Sequence, residues 1–183
     1  MKGHYVLAGL ALLAATGAGA QERALQMGTK TSDAGYAVAV DVTIPLNDLA
    51  KAGVTFGKAF DDLATMAEAE GFTMLGPTRI VLKSLGPTPE QTMPFQLQMM
   101  IVEQPTDEDL KAQLGFAILK LEPQKVAYTY HKGTLDQVQM SFMGLMLWLE
   151  QQGLQPAGMP WMVIYSTQGG GEPQVCEIQA PVG

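Results

Sequence analysis

The sequence contains little that could form a cross-link or bind a metal. Cys176 is the only cysteine, and His131 is the only histidine after residue 20. An intrachain disulfide is therefore excluded, and a zinc site, which usually draws on several Cys or His ligands, is not expected. A catalytic Cys-His or Ser-His-Asp arrangement would have to use His131, in the turn-like stretch 131–133. We predict no metal and no organic cofactor, and we expect Cys176 to pack as a small apolar residue.

Basic residues are also scarce. The chain has 11 Lys and Arg against 18 Asp and Glu, which gives a net charge of −7 at pH 7. Nucleic acids and anionic membranes are bound by basic surfaces, so neither is predicted as a partner, whereas cationic ligands are compatible with this charge. No segment has the roughly 20 consecutive apolar residues that cross a bilayer, so no membrane span is predicted.

The first twenty residues have the features of a cleavable secretion signal. Lys2 precedes the apolar run Val6–Ala15, and small residues at 16–20 provide a site for cleavage before Gln21. The run is shorter than a membrane anchor requires. The sequence therefore predicts a signal peptide at 1–20, a periplasmic or secreted location, and a single domain in the remainder.

The remainder of the chain contains a predicted internal repeat. Gly35–Val38 matches Gly115–Ile118, and Gln96–Gln98 matches Glu177–Gln179. Between these stretches, aromatic, leucine and glycine positions recur in the same order. The sequence predicts a polar, partly ordered N-terminal extension at 21–34, then a domain at 35–183 with repeat one at 35–102, a linker at 103–114 and repeat two at 115–182.

Each repeat is predicted to fold as strand, helix, strand, strand. The second helix begins at a capping-box pattern, Thr134–Gln137, and ends at Gly153, while the first helix ends at Gly71. Apolar residues recur at helical spacing in both helices: Val138, Phe142, Leu145 and Leu149 in the second, Phe56, Phe60, Leu63 and Ala67 in the first. Two β-α-β-β units side by side predict an α+β fold, an antiparallel sheet with both helices on one face.

Strand alternation divides the last two strands into two faces. The apolar set Met162, Ile164, Ile178 and Ala180 suits the helix-covered face. The opposite face carries Trp161, Tyr165 and Glu177, with Tyr128 from the preceding strand. At the equivalent positions, repeat one has cations and amides, namely Arg79, Lys83, Gln96 and Gln98. This divergence indicates a functional site in repeat two.

A carboxylate beside aromatic rings has two chemical uses. It can hold a desolvated cation, or it can serve as a general acid or base once burial raises its pKa. Alternatively, Glu177 is an ordinary solvated strand residue, and Tyr165 and Trp161 are packing residues. The methionines at 140, 143 and 146 could bind copper through soft thioethers, but filling of the core or lining of a pocket is the favoured interpretation.

Three stretches resemble a known family. Lys125–Gly133, Leu147–Leu154 and the closing Glu177–Val182 are similar to the second half of the GyrI-like small-molecule-binding domain, also called the bacterial transcription activator effector-binding domain. The resemblance implies a ligand cleft between the two halves, with a carboxylate on the last strand at the position of Glu177 and a Tyr at that of Tyr165. Trp148, in the second stretch, is a further aromatic candidate for the binding site.

The family contains receptors for lipophilic cations and hydrolases of reactive small molecules. The leading hypothesis is therefore an exported domain that binds a small, largely apolar and possibly cationic molecule through Glu177, Tyr165, Trp161, Tyr128 and Trp148. The alternative is a hydrolase in which Glu177 activates water and Tyr165 orients or protonates the leaving group. A second alternative is an envelope protein-interaction module that uses the sheet face. Transcriptional roles are not expected of an exported chain without a DNA-binding region.

Overall fold

The computed structural model describes residues 26–84, 86–111, 114–133, 137–165 and 174–183. These residues form one antiparallel sheet and two α-helices, together with short 3-10 helices at Leu46–Lys51 and Asp109–Lys111. In chain order, the elements are β1 (Met27–Thr31), β2 (Gly35–Pro45), α1 (Ala52–Ala69), β3 (Met74–Leu82), β4 (Thr92–Ile101), β5 (Ala117–Leu121), β6 (Lys125–Gly133), α2 (Val138–Gln151), β7 (Trp161–Ile164) and β8 (Gln174–Pro181). The predicted signal peptide and the start of the predicted capping box, 134–136, lie outside the described residues.

The sheet contains two sets of strands, and the first strand of each set pairs with a strand of the other set. Its order is β1-β6-β8-β7-β3-β4-β2-β5. We call β1–β4 with α1 the first half and β5–β8 with α2 the second half. In the sheet, β1 pairs with β6 of the second half, and β5 pairs with β2 of the first. The halves meet where β3 pairs with β7, with Ile80 opposite Met162.

The exchange of first strands was not predicted from the sequence. Within the predicted extension at 21–34, Met27–Thr31 forms a strand that pairs along its whole length with β6. The strand that follows Gly115 is β5, an edge strand, and β6 takes the place in the second half that β2 has in the first. An edge strand has a partner on one side only and buries few side chains, so it leaves a weak hydrophobic pattern. The duplication itself stays a prediction.

The α+β fold, with both helices on one face of an antiparallel sheet, is confirmed. In the predicted stripe of α1, Phe56 and Phe60 pack with Ile80 and Leu97, and Leu63 and Ala67 pack with Val38. In the second half, Leu145 and Leu149 of α2 pack with Ile178. Each fully buried leucine contributes about 1.5–3 kcal/mol of hydrophobic stabilisation. The chain leaves each helix through a glycine at positive φ, +88° at Gly71 and +67° at Gly153, as predicted for helix ends.

The structure also tests three smaller predictions, which concern Cys176, His131 and the methionines of α2. Cys176 is buried, and burial raises the pKa of its thiol to about 12, so its predicted packing role is confirmed. His131 lies in β6 rather than in a turn, and its Nδ1 is 2.9 Å from Ser141 Oγ on α2. The α2 methionines were expected to fill the core or to line a pocket; Met140 and Met143 are exposed and therefore do not fill the core. The third, Met146, packs against the core.

Candidate functional site

Glu177 lies on the side of the sheet opposite the two helices, which we call the helix-free face. In β8 it is directly opposite Val163 of β7 and Tyr130 of β6. Its chain neighbours Cys176 and Ile178 enter the core on the other side. Although no helix covers it, Glu177 is 0 % exposed. A buried carboxylate is costly unless it is paired and hydrogen-bonded, so its partners define the site.

Among the described residues, several side chains contact the Glu177 carboxylate. The Lys30 ammonium lies 2.6 Å from Oε1, and Gln179 Nε2 donates to the same oxygen at 2.7 Å. The Tyr165 hydroxyl donates to Oε2 at 3.0 Å, and the phenol of Tyr130, directly opposite in β6, also hydrogen-bonds to the carboxylate. The carboxylate therefore has a cation together with an amide and two phenols as hydrogen-bond donors. Among the described residues, Gln179 Oε1 is buried with no hydrogen-bond partner, so an unused acceptor lies beside the carboxylate.

Two aromatic rings, those of Tyr128 and Tyr130, lie beside the Lys30 ammonium. The Lys30 Nζ lies 5.3 Å from the centroid of the Tyr128 ring, which is within cation–π range. Tyr128 packs edge-to-face with Tyr130, with ring centroids 5.6 Å apart. The Tyr128 ring also lies against Gly28 of β1, where an added Cβ would come within 3.2 Å of it. A glycine at position 28 therefore leaves room for the ring.

Tyr165 and Tyr130 keep their protons over a wide pH range. Burial, followed by the Glu177 charge and the hydrogen bond to it, raises the pKa of Tyr165 well above its usual value. The same causes, in the same order, raise the pKa of Tyr130. Both phenols are hence hydrogen-bond donors at neutral pH. Tyr165 can stabilise or protonate a developing anion, but it cannot act as a base there.

Lys30 is the functional residue that sequence reasoning missed. It lies in the segment predicted as an extension, and its ammonium reaches Glu177 from β1, the edge strand on the far side of β6. The only local signal is the alternation Thr29-Lys30-Thr31, in which two β-branched residues flank the lysine. That signal predicts a strand weakly, and it does not indicate which strand would accept it.

A cavity of about 450 Å³ lies between the halves on the helix-free face. Trp161 lines it, together with Arg79 of β3, and the Arg79 Cζ is 6.0 Å from the centroid of the Trp161 ring. Glu177 is not among its lining residues. The structure thus places Trp161 in this cavity rather than in the cluster around Glu177, although Trp161 and Gln179 are cross-strand neighbours.

The same N-terminal segment provides the opposite charge to both buried charges of this face. Lys30 neutralises Glu177, and Asp33, two residues beyond β1, lies beside Arg79. The Asp33 Oδ2 is 3.7 Å from Arg79 Nη2, and the Asp33 backbone oxygen accepts a hydrogen bond from it at 3.4 Å. The segment that was predicted to lie outside the domain therefore provides the charges opposite to those of Glu177 and Arg79.

The predicted binding residues do not all lie together. Glu177, Tyr165 and Tyr128 are gathered around Lys30, and Trp161 lies in the adjoining cavity. Trp148 lies on α2 and packs with Leu145 and Leu149, on the other side of the sheet. Its assignment to the same site is wrong because the stretch that contains it forms a helix on the covered face.

The described parts of the chain contain neither a metal-holding cluster of side chains nor a membrane-spanning helix. No group of three or more His, Cys, Asp or Glu residues within them is arranged to hold a metal ion. No helix within them is long and apolar enough to cross a membrane.

Solved structures match most of the chain, although no family model and no curated protein matches the sequence. The C-terminal domain of EcmrR matches with a TM-score of 0.65 at 15% identity, over 87% of this chain and 98% of that domain. SAV2435 bound to tetraphenylphosphonium matches with a TM-score of 0.52 at 13% identity, over 86% and 94%. A hydrolase from Listeria innocua matches with a TM-score of 0.56 at 12% identity, over 86% and 92%.

EcmrR and SAV2435 are GyrI-like effector-binding domains, so the fold implied by the sequence resemblance is confirmed. EcmrR has also been solved in complex with DNA, where the match has a TM-score of 0.70 at 14% identity and spans 86% of this chain but 57% of that one. This match does not support the exclusion of nucleic acid, which stays a prediction from the net charge.

Proposed function

We propose that this chain, which has the GyrI-like fold, is an exported domain that binds a small, largely apolar organic cation at Glu177. The ligand cation takes the place of the Lys30 ammonium. The carboxylate provides the opposite charge, Tyr165 and Gln179 orient it, and the rings of Tyr128 and Tyr130 contact the apolar part of the ligand.

One observation carries this proposal: the site already holds a cation. The Lys30 ammonium is 2.6 Å from the Glu177 carboxylate and lies beside the Tyr128 ring. A fully buried carboxylate and an aromatic ring together are the chemistry that recognises ammonium groups. Gln179 Oε1 adds a buried acceptor that no described residue uses.

Lys30 can be displaced at moderate cost. It lies on a five-residue edge strand, and no described residue of β1 belongs to the buried hydrophobic core. Its side chain is 34 % exposed, so much of its hydration is retained in the bound position. Segments with few buried apolar contacts open most readily, and β1 is such a segment. SAV2435, which shares the fold, is bound to the organic cation tetraphenylphosphonium, and this supports the proposal.

The test compares a cation with a neutral molecule of similar size. Calorimetric titration with methyltriphenylphosphonium and with triphenylphosphine oxide is expected to show tighter binding of the cation. Glu177→Gln should weaken the cation at least about tenfold, as loss of a charge-assisted contact does, and leave the neutral compound nearly unchanged. Equal losses for both compounds would contradict the role of the charge.

Lys30→Met tests whether the Lys30 ammonium competes with the ligand cation or acts only through the net charge of the protein. Since this variant removes the internal competitor, it should bind methyltriphenylphosphonium more tightly than the unaltered protein does. Lys125→Met is the matched control, because Lys125 is an exposed lysine of β6 directly opposite Thr31 of β1. A gain in affinity of the same size in both variants would mean that net charge, and not the place of Lys30, decides binding.

A hydrolase is the second candidate, favoured by the contact between Tyr165 and Glu177 at 3.0 Å. Glu177 would activate water once Lys30 has moved, and the protonated Tyr165 would donate to the leaving group. One protein of the same fold is a hydrolase. Tyr165→Phe should then abolish turnover of a reactive electrophilic substrate while ligand binding persists. Unchanged turnover in Tyr165→Phe would remove this role.

Export is tested by the mature N-terminus. Mass spectrometry of protein recovered from the periplasm or the medium should give a chain that begins at Gln21. Replacement of Leu12 by Arg in the apolar run should retain the full-length chain inside the cell. Intracellular protein with an intact N-terminus in the unaltered sequence would contradict export.

Fluorescence polarisation with duplex DNA tests the predicted absence of nucleic acid binding.

A further inference from the structure

A second buried charge on the helix-free face lacks a well-matched partner. Arg79 is 5 % exposed and lies opposite Gln98 and Val163. Among the described residues its polar contacts are with Asp33, at 3.4 Å to the backbone oxygen and 3.7 Å to Oδ2. Charge-assisted hydrogen bonds are typically about 2.7–2.9 Å long, and the guanidinium has five N–H donors. The Asp33 side chain is 70 % exposed, so it is a weak and replaceable partner.

The cavity beside Arg79 is rich in unused donors. The buried indole Nε1 of Trp161 has no hydrogen-bond partner among the described residues. The only acid that lines this cavity, Glu122, is 2.6 Å from Lys120, so the acid and that lysine are matched to each other. Burial lowers the pKa of Arg79, and the neighbouring Asp33 charge offsets only part of this effect. Among the described residues, the cavity lining thus includes a poorly compensated cation and a tryptophan whose indole N–H has no acceptor.

The size and remaining wall of the cavity suit a small organic molecule. A volume of about 450 Å³ falls in the range of small-molecule sites. Val81, Met159 and Pro181 give the wall an apolar part. The guanidinium fork of Arg79 matches the two oxygens of a carboxylate, and the apolar part of the wall matches a hydrocarbon ring.

We propose that this cavity binds the carboxylate of a small aromatic acid, with Arg79 as the donor and Asp33 displaced from it. The site is separate from Glu177, has the opposite charge preference, and does not depend on cation binding there. The N-terminal segment then occupies both sites in the absence of ligand, through Lys30 at one and Asp33 at the other.

The test uses an acid and its neutral amide. Calorimetric titration of the full folded chain with 2-naphthoate and 2-naphthamide should show the acid binding at least about tenfold more tightly, because only the acid makes charge-assisted hydrogen bonds. Arg79→Gln should remove this preference. Lys83→Gln is the matched control, since it deletes a cation four residues after Arg79, just beyond the end of β3, that does not line the cavity.

Asp33→Asn keeps the proposal testable if Arg79→Gln fails to fold. Because Asp33 is largely exposed, its replacement should not disturb folding, and loss of the competing carboxylate should tighten 2-naphthoate binding about two- to fivefold without affecting 2-naphthamide. Equal affinity for acid and amide in the unaltered protein would overturn the proposal. So would the same loss in Arg79→Gln and Lys83→Gln, or no change in Asp33→Asn.

Discussion

The two halves place polar side chains at matching positions of the helix-free face, but only one half buries its acid. In the first half, Asp41 of β2 accepts hydrogen bonds from Lys83 at 2.6 Å and from Gln96 at 3.1 Å. Gln96 lies between Val81 and Asp41 in the register, as Glu177 lies between Val163 and Tyr130. The Asp41 side chain is 59 % exposed, and its pair with Lys83 is an ordinary surface ion pair.

The difference between the halves comes from what surrounds the acid. In the second half Tyr165 takes the place that Lys83 has in the first, and Tyr130 takes the place of Asp41. These aromatic residues exclude water from Glu177, and a lysine from another strand then neutralises it. The same sheet geometry therefore gives a solvated ion pair in one half and a buried, desolvated carboxylate in the other. The exchange of a few side chains on one face is sufficient for this change.

The strongest test of the comparison concerns the cores of the two halves. Leu63→Ala and Leu145→Ala each remove a side chain that is fully buried, so each should lower the free energy of unfolding by about 3 kcal/mol. Because β1 and β5 are exchanged between halves, denaturant unfolding should remain a single transition in both variants. Two separate transitions in either variant would show that the halves are independent.

Removal of each lysine compares the two acids directly. Lys30→Met leaves a buried carboxylate without its cation and should cost about 2 kcal/mol, less than for a fully buried pair because Lys30 is partly exposed. Lys83→Met should cost less than about 1 kcal/mol. Urea unfolding at neutral pH measures both. Adding Glu177→Gln to Lys30→Met should restore part of the loss, and equal costs for the two lysines would contradict the difference in burial.

Tyr165→Phe removes a hydrogen bond to the buried acid and should cost about 1 kcal/mol. The folded protein holds the Tyr165 proton at a pH where the unfolded chain has lost it, since the pKa is raised from its ordinary value of 10.0. Stability should therefore be intact below pH 10 and fall as the pH rises above it. The decline should be shallower in Tyr165→Phe. Because Tyr165 is about half exposed, the difference in slope should be well under 1.4 kcal/mol per pH unit. Parallel declines would show that Tyr165 does not carry the effect.

The smallest effect is expected at Asp41. Asp41→Asn should change stability by less than about 1 kcal/mol at pH 7, and the change should disappear at high salt. The hydrogen bond from Lys83 lowers the pKa of Asp41, so its contribution is present above the ordinary value of 3.8 and is lost as the pH falls below it. Thermal unfolding at two salt concentrations measures this, and a loss that persists in 1 M salt would indicate a buried pair.

The sequence was most informative where side chains pack and least informative where strands meet. The stripes of both helices and the alternation around Glu177 follow directly from hydrophobic spacing, and the resemblance located Tyr165. The pairing of β1 with β6 could not be inferred, because Met27–Thr31 has few apolar residues and its partner lies far along the chain. Trp148 was misplaced because a short motif identifies an element without the face from which its side chain projects.

The exchange of first strands also bears on the order of events during synthesis. β1 is made before any other strand, but its partner β6 follows only after the whole first half and β5 have been completed. Pairing of segments so distant in sequence is slow, because the chain between them must be ordered first. We expect the segment with Lys30 and Asp33 to dock late, onto a nearly finished sheet. The two buried charges are then neutralised in one of the last steps of folding.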